Sequence, residues 1–172
     1  MQISIFLMIN STIKYICYMF TREEKKAFNQ LFWTSFGKYM QKQIPTSGRK
    51  LNWINYKTGV KDLYLRMNID NKKAIFSLDF QHKDEGIRAL FYEQFEELRR
   101  VFHETMNHEF VWEAETFNDQ GVSISRVYTE IIGVNKFKKD DWHMAFEFFE
   151  KHLVPFDEFW AEFKEIFITL QE

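Results

Sequence analysis

Residues 63–80 read LYLRMNIDNKKAIFSLDF and carry the clearest strand pattern in the chain. Apolar side chains occupy every second position over residues 63–69 and again over residues 74–80. Strict alternation indicates a strand with one buried face and one face open to solvent. The intervening residues 70–72, Asp-Asn-Lys, favour a tight turn, so the stretch predicts a β-hairpin.

A similar succession of elements follows along the chain. Residues 110–116 predict a third strand, residues 118–121 a turn, and residues 122–132 a fourth strand. After each hairpin, apolar residues recur at spacings of three and four, which is typical of one face of a helix. The first of these helices is expected from about residue 87 to residue 102, and the second is expected after the Asp140-Asp141 cap.

Helices are predicted at both ends of this arrangement. Thr21 and Glu24 form a capping box that begins a helix running to about Lys42. Pro155 is expected to kink or restart the last helix, and residues 156–170 carry a regular Phe-rich stripe beyond it. The order α-ββα-ββα(α) predicts an α+β fold, with a four-stranded, largely antiparallel sheet and helices packed on one face.

Composition limits the classes of protein. The chain has 172 residues and a formal net charge of −2, from 23 basic and 25 acidic side chains. A chain of this length is one ordinary domain. Proteins that coat DNA or acidic membranes need a large basic excess, so only a local basic patch is expected here. The lone Cys17 is typical of a reducing compartment, and we expect a cytoplasmic location.

The first residues form a separate question. We expect residues 1–18 to be an extension outside the core, and residues 19–172 to form a single globular domain. The apolar run over residues 3–9 is far shorter than the about 20 residues of a membrane helix. The charge and cleavage features of a signal peptide are also missing, so no membrane partner is expected.

Motifs that carry chemistry fail at specific positions. His103 and His108 are five residues apart, which on a helix places the two imidazoles about 140° apart and prevents shared metal binding. Gly48-Arg49-Lys50 lacks the upstream glycine of a phosphate loop, and residues 121–125 lack the second glycine of a nucleophile elbow. Neither hairpin carries the acid-x-Lys pattern of a metal-dependent nuclease. We therefore expect no catalytic residue, no metal site and no cofactor.

One polar and aromatic connector remains as a candidate binding site. It runs from Asn52 to Gly59 and contains Trp53, Tyr56 and Lys57, with Arg49 and Lys50 just before it. Aromatic rings that stack on bases and cations that meet phosphates are how single-strand binders work. Trp53 is equally suited to fill the core while the asparagines hold the loop backbone, and this structural use is the commoner one.

The fourth strand supplies two further candidates. Arg126 and Tyr128 share one face of that strand. Arg126 is either a solvated charge or part of a ligand or nucleic-acid binding surface on the sheet, and the sequence does not choose between these.

Several of these residues together resemble a known family. They are Phe32-Trp33, Asn52-Trp53 with Gly59, Phe91-x-x-Gln94-Phe95, Trp112, Ser125-Arg126-x-Tyr128 and Asp141-Trp142. From Met19 to about Phe163 the chain resembles the bacterial family of domains of unknown function 4268. In longer relatives of that family a similar domain follows a restriction-endonuclease-like domain. The resemblance therefore implies work near DNA or in defence systems, and it transfers no catalytic residue.

Three functional hypotheses follow. The first is a non-enzymatic binding or accessory domain, for nucleic acid or for a nuclease-type protein partner, which uses Asn52, Trp53, Tyr56, Lys57, Arg126 and Tyr128. The second is an enzyme of unrecognised type with acids in a pocket between sheet and helices. The third is a self-associating protein that leaves part of its Phe-rich last helix exposed, and on this hypothesis the chain forms a homo-oligomer.

Overall fold

A computed structural model describes residues 20–171 of the chain. The expected extension over residues 1–18 lies outside the described residues. The helices and strands are, in chain order, α1 (Arg22–Tyr39), β1 (Leu63–Ile69), β2 (Lys73–Phe80), α2 (Glu85–Glu97), α3 (Arg99–Met106), β3 (Val111–Phe117), β4 (Ser123–Ile132) and α4 (Trp142–Leu170). Short 3-10 turns occupy Met40–Lys42, Trp53–Asn55 and Lys139–Asp141. The α+β fold class and both hairpins are confirmed.

The four strands form one antiparallel sheet in the order β1-β2-β4-β3. The two hairpins meet through their second strands, where Asp79 of β2 lies opposite Arg126 of β4. The pairing of β3 with β4 shifts between Glu113 and Thr116, which marks a bulge in this edge strand. Two residues predicted to lie on different hairpins, Asp79 and Arg126, thus become direct neighbours.

Alternation along the strands separates two faces. Leu63, Leu78 and Val127 lie on the face that joins the hydrophobic core with the helices. The alternate residues Arg66 and Arg126 lie on the opposite, polar face. This polar face is a candidate surface for binding, because its side chains are not committed to the core.

Two helix boundaries differ from the expectation. The helix predicted over residues 87–102 is two helices, because the backbone leaves helical geometry at Leu98, whose N–H bonds to the Phe95 carbonyl in a tight turn. The break redirects α3 so that Phe102 and Met106 are buried. Of the two alternatives expected at Pro155, a kink or a restart, the restart is wrong: α4 is one helix of 29 residues that contains Pro155.

The sequence predicts caps at Thr21, at Asp84 or a neighbour, and at Asp140-Asp141, and the first two are confirmed. The hydroxyl of Thr21 accepts from the Glu24 amide at 3.1 Å, and the Asp84 carboxylate accepts from the Ile87 amide at 2.9 Å. Asp141 precedes α4 as expected, but its carboxylate accepts from the Asn135 amide at 3.0 Å and caps no amide of the helix. This carboxylate therefore fixes the loop that enters the helix.

The Phe-rich stripe of α4 lies in the core. Phe156, Phe159 and Phe167 are at most 1% exposed. The ring of Phe159 lies 5.8 Å from that of Phe95 and 5.1 Å from that of Phe102. The exposed stripe that the self-association hypothesis requires is therefore not present in α4.

Candidate functional site

The connector between α1 and β1 is built on a short turn. The side-chain oxygen of Asn52 accepts from the Asn55 amide at 3.2 Å and so begins the turn Trp53–Asn55. Trp53 is 6% exposed and belongs to the core cluster. Gly37 of α1 faces this turn, and a Cβ there would lie 2.7 Å from the Ile54 side chain. The tip of the Ile54 side chain therefore occupies the space beside Gly37.

Asp157 of α4 holds the connector and the loop that precedes it. Its carboxylate accepts from the Tyr56 hydroxyl and from the Thr46 amide, each at 2.8 Å. Burial raises the pKa of Tyr56 strongly, and its bond to Asp157 adds to the effect. Trp160 of α4 also donates to the Thr58 carbonyl at 2.7 Å. The connector is consequently a fixed part of the structure.

The four connector candidates are placed differently. Asn52 and Lys57 are exposed, Tyr56 is half-buried, and Trp53 is buried. The burial of Trp53 and the Asn52 bond to the Asn55 amide agree with the structural interpretation of the sequence, which made no statement about Tyr56. A role in binding for these four residues stays a prediction.

Two adjoining depressions run along the connector. The first is a groove of about 790 Å³ lined by Lys38 and Lys50 together with Asn52 and Trp53. The second, of about 520 Å³, begins at Asn55. Its lining includes Tyr56, Lys57, Lys61, Tyr64 and Arg66. The two linings share no residue, but Ile54 of the first and Asn55 of the second are neighbours in the chain.

The charge along these depressions has one sign. We call the five cations Lys38, Lys50, Lys57, Lys61 and Arg66 the basic track. All five are exposed, and within residues 20–171 none of them has a carboxylate within salt-bridge distance. Nor does any acidic side chain of that part of the chain line either depression. The track is therefore the local basic patch that the overall charge left open.

Two residues of β1 were missed by the sequence-based candidates. The Arg66 guanidinium lies 4.5 Å above the ring of Tyr64, which is 38% exposed. A cation held over an aromatic ring presents both its charge and a flat apolar surface. The alternation of β1 already placed Tyr64 and Arg66 on the polar face, so this pattern could have identified them.

Arg126 lies at the floor of a hollow on the polar face of the sheet. Its Nε and Nη2 each donate to the Asp79 carboxylate at 2.8 Å. Hydrogen bonding to Asp79 raises the pKa of Arg126, and the charges of Asp79, Asp119 and Glu113 act in the same direction. The hollow measures about 340 Å³ and is also lined by Arg66.

Arg66 joins the two sets of predicted residues. It lines both the second depression, beside Lys57, and the hollow, beside Arg126. Tyr128 lies farther along β4, paired with Ser77 and Val111, and is half-buried. Arg66 thus lies beside the connector candidate Lys57 and beside Arg126, whereas Tyr128 lines neither the hollow nor either depression.

The remaining titratable groups offer no assembled metal ligand set. Within residues 20–171 no group of three or more His, Cys, Asp or Glu side chains is arranged to hold a metal ion. The fold does bring His108 and His152 together, with ring centroids 5.0 Å apart. Over the same residues no helix combines the length and apolar character that crossing a bilayer requires.

The fold and this surface define an α+β domain that carries a basic track beside an open sheet. A family model described as "Domain of unknown function (DUF4268)" matches residues 28–164. The chain belongs to this family. Searches of curated proteins and of solved structures found no match.

Proposed function

We propose that this domain is a non-enzymatic binding module that holds single-stranded nucleic acid along the basic track. One observation carries the proposal: two depressions along the connector are lined by five exposed cations and by no carboxylate of residues 20–171, in a chain whose net charge is −2. The cations come from residues 38–66, a stretch with seven basic side chains and one acidic side chain, Asp62. Segregated cations along a groove are how proteins follow a phosphate backbone.

The groups beside the cations suit a flexible strand. Asn52 offers an amide to phosphate or sugar, and Tyr64 beneath Arg66 offers a partly exposed ring on which a base can stack. Trp53 and Tyr56 contribute by fixing the shape of the connector. Stacking together with phosphate contacts gives binding that tolerates many sequences.

A role beside a nuclease fits this proposal. The resemblance to longer relatives, in which a similar domain follows a restriction-endonuclease-like domain, supports an accessory function in which this domain holds DNA for a nuclease-type partner. The absence of an assembled metal ligand set within residues 20–171 is compatible with such a division of labour.

Fluorescence anisotropy with labelled oligothymidylate and with a DNA duplex tests the proposal. The wild-type chain should bind the single strand at low salt, and the double variant Lys57→Ala/Arg66→Ala should bind roughly tenfold more weakly. The slope of log K against log salt should fall in magnitude by about 0.7 for each lost phosphate contact. Lys25→Ala/Lys26→Ala removes the same charge from the exposed start of α1 and should leave affinity nearly unchanged.

Two results would contradict the proposal. One is the absence of single-strand binding at low salt by the folded wild-type protein. The other is an equal loss of affinity in the track variant and the α1 variant, which would show that only total charge matters.

A further inference from the structure

The hollow on the polar face of the sheet differs in chemistry from the basic track. Its rim and walls carry the carboxamides of Asn68, Gln81, Asn118 and Gln120. Its volume of about 340 Å³ lies at the small end of the range for small-molecule sites, about 300–1,000 Å³. Carboxamides donate and accept hydrogen bonds at once, so they suit a neutral polar ligand better than a phosphate.

The charges in the hollow balance. Arg66 and Arg126 contribute two positive charges, and Asp79 and Asp119 contribute two negative charges. In the two depressions of the basic track, in contrast, every charged side chain of the lining is a cation. A strand bound on the track would thus have, next to Arg66, a polar cavity whose charged side chains sum to zero.

The sheet holds Arg126 in a fixed orientation. Asp79 is 2% exposed and binds two guanidinium N–H groups of Arg126. The Ser77 hydroxyl donates to the same carboxylate at 2.9 Å, and the Gln81 amide does so at 3.4 Å. An arginine has five N–H donors, so this arrangement leaves three of them. The side chain remains 23% exposed, so a ligand in the hollow can reach these donors.

The turn between β3 and β4 places an acceptor at the same hollow. The Asn118 side chain accepts from the amides of Gln120 and Val122, each at 3.0 Å, and so fixes the turn. Asp119 lies between these residues, is exposed, and lines the hollow. Arg126 lines the same hollow, so the carboxylate and the guanidinium are both available to a ligand there.

We propose that the hollow receives one nucleobase of a strand held on the basic track, with a preference for guanine, and this inference rests on the proposed function. Guanine presents the acceptors O6 and N7 on one edge, which suit the remaining N–H donors of Arg126. It presents N–H donors at N1 and N2, which suit the Asp119 carboxylate. Adenine lacks the O6 acceptor. Cytosine offers the acceptors O2 and N3 to an arginine, but its only donor group is N4, so it lacks the paired N1 and N2 donors that suit Asp119.

A single-base substitution series tests the inference. Anisotropy is measured with oligothymidylate that carries one central dG, dA or dC. The wild-type chain should bind the dG strand about tenfold more tightly than the other strands, as expected for one good bidentate contact. Asp119→Asn should abolish this preference while its affinity for plain oligothymidylate stays at the wild-type value or rises.

A matched control and a folding check complete the experiment. Glu115→Gln removes one negative charge from exposed β3 at a position outside the hollow and should keep the dG preference. Thermal melting checks that both variants fold. We expect them to fold because Asp119 and Glu115 are exposed.

The two proposals fail in different ways. Equal wild-type affinities for all four strands, or a preference for dG that survives in Asp119→Asn, would overturn the base site while leaving the basic track standing. No binding of any strand at low salt would overturn both.

Discussion

At the scale of single residues, the buried imidazole of His152 stands out. It is 2% exposed, and its Nδ1 donates to the Phe148 carbonyl at 2.7 Å. Its Nε2 is buried and has no hydrogen-bond partner within residues 20–171. Burial lowers the pKa of His152 to about 4, against an ordinary value of 6.5, although the bond to Phe148 acts in the opposite direction. Protonation of Nε2 would place an unpaired charged donor in the core.

Acid should therefore destabilise the fold through His152. Between pH 6.5 and about 4 the unfolded chain takes up a proton that the folded chain refuses, so the free energy of unfolding falls as the pH falls through this window. The loss should reach about 3 kcal/mol for this group alone. Neighbouring His108, whose pKa burial also lowers, should add to it, and Lys151 acts on both rings in the same direction.

Urea denaturation at several pH values checks this expectation. His152→Phe should flatten the dependence between pH 6.5 and 4, whereas His143→Gln, at an exposed position of α4, should keep the wild-type dependence. An unchanged slope in His152→Phe would show that this ring does not set the acid sensitivity.

Individual residues were predictable from the sequence to different degrees. Trp53 and Tyr56 were candidate binding residues in the sequence, with a core position as the alternative for Trp53. The partner of Tyr56 could not be predicted, because Asp157 lies 101 residues farther along the chain. The bidentate pair of Asp79 and Arg126 required the register between β2 and β4. Arg66 was visible in the alternation of β1, but its position beside Lys57 depends on the path of the connector.

At the scale of elements, local patterns located every strand and missed two helix ends. Strand alternation is a local property, so both hairpins followed from the sequence. The break at Leu98 and the continuity through Pro155 depend on packing. Leu153 and Phe156 on either side of Pro155 are both fully buried, and this shared core contact favours one continuous helix.

Removal of a ring from α4 tests whether this helix anchors the core. Phe159→Ala should lower the free energy of unfolding by about 3–5 kcal/mol, because it leaves a cavity between Phe95 and Phe102. Phe117→Ala, at a position 63% exposed, should cost much less. Chemical denaturation of both variants gives the comparison, and similar losses at the two positions would argue against a core role for Phe159.

At the scale of the whole molecule, the basic track is a product of assembly. Its cations come from the end of α1, from the loop and connector that follow it and from β1, all within residues 38–66, where Asp62 is the one acidic residue. The average charge of −2 hides this local bias, although the sequence of the stretch shows it. The α+β fold and the family were predictable from the sequence, but the position of Arg66 beside both Lys57 and Arg126 was not, because it depends on strand register and on the contacts by which Asp157 and Trp160 of α4 hold the connector.

Lysine footprinting on the unaltered protein tests the track most directly. The chain is acetylated briefly with and without saturating oligothymidylate, and the extent of modification is read at each lysine by mass spectrometry. Binding along the track predicts protection of Lys38, Lys50, Lys57 and Lys61, while Lys25 and Lys26, exposed at the start of α1, react at unchanged rates. Protection spread evenly over all exposed lysines, or confined to lysines outside the track, would contradict the account.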